Sequence, residues 1–187
     1  MALTPSRMIP LGTIAPDFTL PEPARGNQLV SLAEQAAGAQ AVLIVFMCNH
    51  CPYVVHVAAE LARLGRELPG RGVAMIGINS NDADAYPADN PAAMIREVES
   101  RGYAFPYLFD ADQSVARAYQ AACTPDFFLF DSQRRLAYRG ELDDSRPGNG
   151  KPVTGAALRA AIDAVLAGQA VAGPQVPSMG CNIKWRS

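Results

Sequence analysis

Cys48-Asn49-His50-Cys51 is where side-chain type and spacing in this chain meet a reaction. A thiolate is both a nucleophile and a metal ligand, and a second cysteine one turn away can displace the mixed disulfide that the first one forms. The four residues follow the apolar run Ala41 to Phe46 and precede Val54, Val57, Ala58, Leu61, Leu64 and Leu68, which recur at helical spacing. Such a run reads as a strand buried on both faces, and Pro52 suits a first helical turn, where a missing N–H costs nothing. The pair is therefore expected at a helix N-terminus, whose unpaired N–H groups and macrodipole favour a thiolate.

A C-x-x-C pair is also half of a zinc site. The other donors are Cys123, Cys181, His50 and His56, without a second C-x-x-C or a closely spaced His pair, so no finger pattern is present. A metal carrier using Cys48, Cys51 and Cys123 for Cu(I) or zinc, joined by His50, stays open, as do inert buried thiols. The redox reading needs neither a metal nor another cofactor. His50 either favours the Cys51 thiolate when protonated or is a solvated turn residue. His56, among apolar neighbours, reads as a packing histidine. Asn79, Ser80 and Asn81 follow the second central strand and either line the site or form a turn.

The elements that must position these residues follow from periodicity. Val73 to Ile78 is a second buried strand, and a strand-helix-strand crossover makes it a parallel neighbour of the first. Helices are predicted over about 92–101, closed by Gly102, and about 113–121. Residues 127–131 and 135–140 read as strands whose short turn requires an antiparallel pair. A Gly/Pro/Asp-rich loop over 143–152 leads to a final amphipathic helix that ends near Gly168. The chain has 187 residues, 49% apolar and 18% charged with net charge −2, which fits one domain over 1–187. Its core spans about 10–168, and 169–187 is expected to be a C-terminal tail. No Lys/Arg block exists to neutralise phosphates or hold an anionic membrane, so neither nucleic acid nor membrane is an expected partner. Without a signal-like start or an apolar stretch of ~18 residues, and with four scattered cysteines, the expected location is cytoplasmic.

Cys123-Thr124-Pro125 precedes the 127–131 strand, and with the strand, Cys-x-x-Cys and helix unit it resembles the thioredoxin fold. There a Thr-Pro pair forms a cis-proline loop against the active-site disulfide. Ala15-Pro16-Asp17-Phe18 resembles the opening of the peroxiredoxin branch, the alkyl hydroperoxide reductase/thiol-specific antioxidant group. Four segments, Phe46 to Val54, Cys123 to Phe127, Asp143 to Pro147 and Pro177 to Trp185, are similar to peroxiredoxin-like thioredoxin-family proteins of bacteria. The resemblance implies an α/β thioredoxin-like fold, a central mixed β-sheet flanked by helices with a peroxiredoxin-like N-terminal extension. It implies an oxidoreductase or antioxidant acting on a protein disulfide or a peroxide, re-reduced by a dithiol donor such as a thioredoxin or glutathione system.

Two family patterns overlap at the motif. The thioredoxin pattern implies that Cys48 is exposed and attacks while a shielded Cys51 resolves, with Thr124 and Pro125 holding the substrate and Asn49, His50 and Pro52 tuning the pair. The peroxiredoxin pattern implies that Cys51, followed by Pro52, becomes a sulfenic acid with which Cys48 condenses. That pattern's threonine and proline positions hold Cys48 and Ile44, and its arginine has three candidates, Arg117, Arg139 and Arg146. The resemblance brings Cys123 beside the dithiol, as an exchanging or a structural thiol. Cys181 is either a resolving cysteine on a mobile tail or a packed residue of a segment anchored by Ile183 and Trp185.

Overall fold

One strand decides the layering of the molecule. In the computed structural model, which describes residues 3–186, β4 (Ala41–Phe46) is buried at every position. Leu43 and Val45 point to one face, and Val42, Ile44 and Phe46 to the other. Apolar on both sides, the strand is stable only inside a sheet covered twice. β5 (Val73–Asn79) pairs with it in parallel and β8 (Asp126–Asp131) antiparallel. β6 (Tyr107–Phe109) and β9 (Leu136–Tyr138) complete a mixed five-stranded sheet in the order β6-β5-β4-β8-β9. This is the thioredoxin-like α/β arrangement, with the antiparallel β8 and β9 where the sequence placed them.

Each face of the sheet has its own core. On one, α2 (Pro52–Glu67) lays Val54, Val57, Leu61 and Leu64 against Leu43 and Val45, beside Leu158 and Ile162 of α5 (Ala156–Leu166). On the other, aromatic rings meet edge to face: Phe46 lies 5.8 Å from Phe128 at 81°, and Tyr119 lies 6.0 Å from Phe130 at 90°. The hairpin of β2 (Thr19–Glu22) and β3 (Gln28–Ser31) contributes Leu20 and Val30 to that core. It leads into α1 (Leu32–Ala36), whose start is a capping box between Ser31 and Glu34. α3 (Pro91–Arg101) begins where the Asn90 side chain accepts the Ala93 N–H at 2.8 Å and stops at Gly102, φ 66°. α4 (Ser114–Ala118) is shorter than predicted because Gln113 and Gln120 both take left-handed backbone, at φ 62° and 51°. Among the described residues, no helix is long and apolar enough to cross a membrane.

The expectation of a C-terminal tail is corrected. β10 (Met179–Asn182) runs antiparallel between β1 (Leu3–Pro5) and β7 (Cys123–Thr124), with Cys181 opposite Thr124 in register. Four residues including a glycine carry no readable period; remote partners hold this strand. A Cβ on Gly180 would collide with the Thr124 carbonyl, so the close approach depends on glycine. Ile183 is buried in the aromatic-face core, and Trp185 lies under the Arg117 guanidinium, 4.6 Å from the ring centroid.

Candidate active site

The chain turns from β4 into α2 over Met47 to Cys51, at the carboxyl end of the central strand, where open α/β sheets build their sites. Cys51 is the N-cap of α2 and Pro52 its first residue. The Thr124–Pro125 peptide is cis, and Thr124 meets both sulfurs. Its hydroxyl lies 3.4 Å from Cys48 Sγ, and its carbonyl accepts the Cys51 S–H at 3.1 Å. The two thiols also influence each other's protonation. The thioredoxin pattern's exposed first cysteine is not seen: Cys48 is 1% accessible and Cys51 0%. Thr124 covers Cys48 from one side, and Asn49 ties the 88–89 segment beside it through its N–H to Asp89 Oδ1 (2.8 Å) and its amide to the Ala88 carbonyl (2.9 Å).

The two thiols are pushed apart electrostatically. Cys51 is held below the ordinary thiol range, chiefly because Cys48 donates to it, with further donation from Cys181 and Thr124 against the opposing effect of burial. Cys48 is pushed up by that same contact, then by burial and by the Asp89 carboxylate. Negative charge on the pair therefore collects on Cys51, at the positive end of α2.

Asp89, which sequence reasoning missed, organises the rest of the site. It is fully buried, and besides the Asn49 N–H it accepts the Asn81 amide at 2.7 Å. Its backbone carbonyl takes the Asn79 amide at 2.8 Å. His50 Nδ1 lies 2.6 Å from Asp89 Oδ2, an ion pair when the imidazole is protonated. The His50 ring stacks on Tyr86, 5.8 Å between centroids and 3° between planes. His50 is thus no free turn residue, and Asn79 and Asn81 are buried struts; Ser80 instead donates to Asp110 at 2.7 Å. Asp89 sits in a stretch without periodicity, and its partners come from two other segments, 49–50 and 79–81, so no local signal marked it. Tyr107, fully buried, closes the site by donating to Asn49 Oδ1 at 3.0 Å.

The remaining residues singled out in the sequence divide into two groups. Cys181 joins the site: buried opposite Thr124, its thiol is pushed up to about 12, first by burial and then by neighbouring Cys51. Cys123 faces carbonyls, Pro125 at 3.6 Å and Ser178 at 3.9 Å, and burial drives its thiol well up. The metal set Cys48, Cys51 and Cys123 is not assembled; among the described residues the donors that converge are Cys48, His50 and Asp89. His56 lies 2.7 Å from Ser145 Oγ, a satisfied packing role. The three candidate arginines are occupied elsewhere: Arg146 by Glu141, Arg139 by Gln175 at 2.7 Å, and Arg117 by Trp185.

The Redoxin family pattern matches residues 10–158, a span that includes the strand-to-helix turn with Cys48 and Cys51 and the cis Thr124–Pro125 peptide. The chain belongs to the Redoxin family. None of the curated proteins matches it. Among solved structures, this redoxin is similar to a hypothetical protein from Sinorhizobium meliloti 1021, with 54% identity over 98% of this chain and 99% of that one, TM-score 0.95. An uncharacterised conserved protein from Geobacillus kaustophilus has 50% identity over 100% and 97% of the two chains, TM-score 0.95. At fold level alone it is similar to a candidate thiol:disulfide interchange protein, DsbE, from Chlorobium tepidum, with 20% identity over 84% and 98%, TM-score 0.66.

Proposed function

We propose that this redoxin is a thiol-disulfide oxidoreductase in which Cys48 and Cys51 cycle between dithiol and disulfide. The observation that carries the reading is the convergence of both sulfurs on Thr124, which keeps them in contact with each other beside the cis-proline. Cys48 attacks a substrate disulfide, passing its proton to Cys51, and one substrate thiolate leaves. Cys51 then attacks Cys48 Sγ in the mixed disulfide, releasing the second substrate thiol and closing the Cys48–Cys51 disulfide. Thr124 and Pro125 hold the substrate backbone, and a dithiol donor such as a thioredoxin or glutathione system returns the pair to the reduced state. Cys48→Ser should abolish turnover with a protein disulfide, while Cys51→Ser should accumulate a covalent substrate adduct; an active Cys48→Ser protein overturns the assignment.

One observation favours a second reading. The donors gathered on Cys51, and the Asp89 carboxylate beside Cys48, favour negative charge on the cysteine that precedes Pro52, which supports this reading. As a peroxidase, Cys51 would attack the peroxide O–O bond, giving a sulfenic acid and an alcohol or water, and Cys48 would condense with it to the same disulfide and water. The two readings separate on hydrogen peroxide oxidation of the reduced protein followed by peptide mapping. A rate far above that of a free thiolate, lost in Cys51→Ser but kept in Cys48→Ser, selects the peroxidase.

A further inference from the structure

Asp89 is a fully buried carboxylate whose ionic contact, among the described residues, is with the His50 imidazole, Nδ1 to Oδ2 2.6 Å. Buried carboxylates persist when they are hydrogen-bonded and paired with a cation or coordinate one. Donor atoms of Cys48, His50 and Asp89 all lie within 4.8 Å of one another. We propose that in the reduced protein these three side chains bind a zinc ion.

The donor spacings lie close to those a zinc ion would impose. His50 Nδ1 and Asp89 Oδ2 are 2.6 Å apart. A tetrahedral zinc, with bonds of about 2.0–2.3 Å, holds its donors about 3.3–3.8 Å apart, so that pair opens slightly while Cys48 closes in. One thiolate, one imidazole and one carboxylate form a borderline donor set that suits zinc, whereas Cu(I) asks for more sulfur. Three protein ligands leave a fourth position for Cys51 or water. The supporting contacts that a metal site needs are built: Asn49 N–H on Asp89 Oδ1, Asn81 on Oδ2, Asn81 itself fixed by the Lys184 N–H at 2.8 Å, and the His50 ring fixed on Tyr86.

The site requires reduced Cys48 and does not require turnover. When an incoming disulfide is reduced to two thiols and Cys48–Cys51 closes, Cys48 ceases to be a ligand and the ion is released. The test is calorimetric titration of Zn²⁺ into the reduced, chelator-stripped full chain, with Co²⁺ as a spectroscopic probe of thiolate ligation. One equivalent should bind, with a sulfur-to-cobalt charge-transfer band. Cys48→Ser and His50→Ala should abolish binding, and the disulfide form should bind none. Asn81→Ala should weaken it about 10- to 100-fold, and Cys123→Ala should leave it unchanged. His50 is partly exposed, so its alanine variant keeps the fold, which circular dichroism verifies. No stoichiometric binding by the reduced chain, undiminished binding by His50→Ala, or binding retained by the disulfide form would overturn the proposal. Exchange activity is scored separately, so one bound zinc without turnover would refute the oxidoreductase reading and support this one.

Discussion

Cys51 and Cys123 stand on either side of one cis Thr124–Pro125 turn, both without solvent exposure, and their thiols are driven in opposite directions. Cys51 receives donors from Cys48, Cys181 and Thr124 and caps the positive end of α2. Cys123 is turned toward the carbonyls of Pro125 and Ser178, with Asp126 adding negative charge. Burial raises both, so depth does not separate them; the atoms facing each sulfur do.

The sharpest way to break this contrast is by activity. Cys48→Ser and Cys51→Ser should each lower disulfide-exchange turnover roughly 10³-fold or more, whereas Cys123→Ala should stay near wild type in the same assay. Asp126, buried behind Cys123 with its carboxyl raised to about 6 by burial, gives a large pH effect. An acid raised on folding stabilises below its unfolded pKa, and that stability is lost as pH rises through about 6. Wild type should lose about 2 kcal/mol between pH 4 and 7 relative to Asp126→Asn in urea melts.

Cys51 has the opposite sign. A depressed thiol stabilises the reduced protein as pH rises through its folded pKa, with the full gain above the unfolded value near ~8.5. Each unit of depression adds about 1.4 kcal/mol. Melts of reduced Cys51→Ser between pH 5 and 8 should lack that rise, and a parallel rise in the variant would refute the thiolate assignment. Smallest is Cys123→Ala, expected to cost about 1 kcal/mol of stability at neutral pH.

The same contrast marks what the sequence made legible. β4 and β5 were readable as uninterrupted apolar runs and α2 by its period, so the Cys48/Cys51 turn could be located from local pattern. Thr124 and Pro125 were found through resemblance, since a Thr-Pro pair alone is ordinary. Asp89 left no trace, because its burial is made by Asn49, Asn79 and Asn81, none of which signals a carboxylate partner. Cys181 was unplaceable for a related reason: β10 is too short for periodicity and exists through β1 and β7.

That pairing has a consequence for the newly made chain. β10 leaves the ribosome after every element it touches, several seconds after β7 at roughly 5–20 residues per second. Until it arrives, the Cys123–Thr124 strand has an open edge and Cys51 lacks its neighbour Cys181. The cover over the thiols is thus incomplete until β10 pairs, and the last of the described strands is the one that completes it.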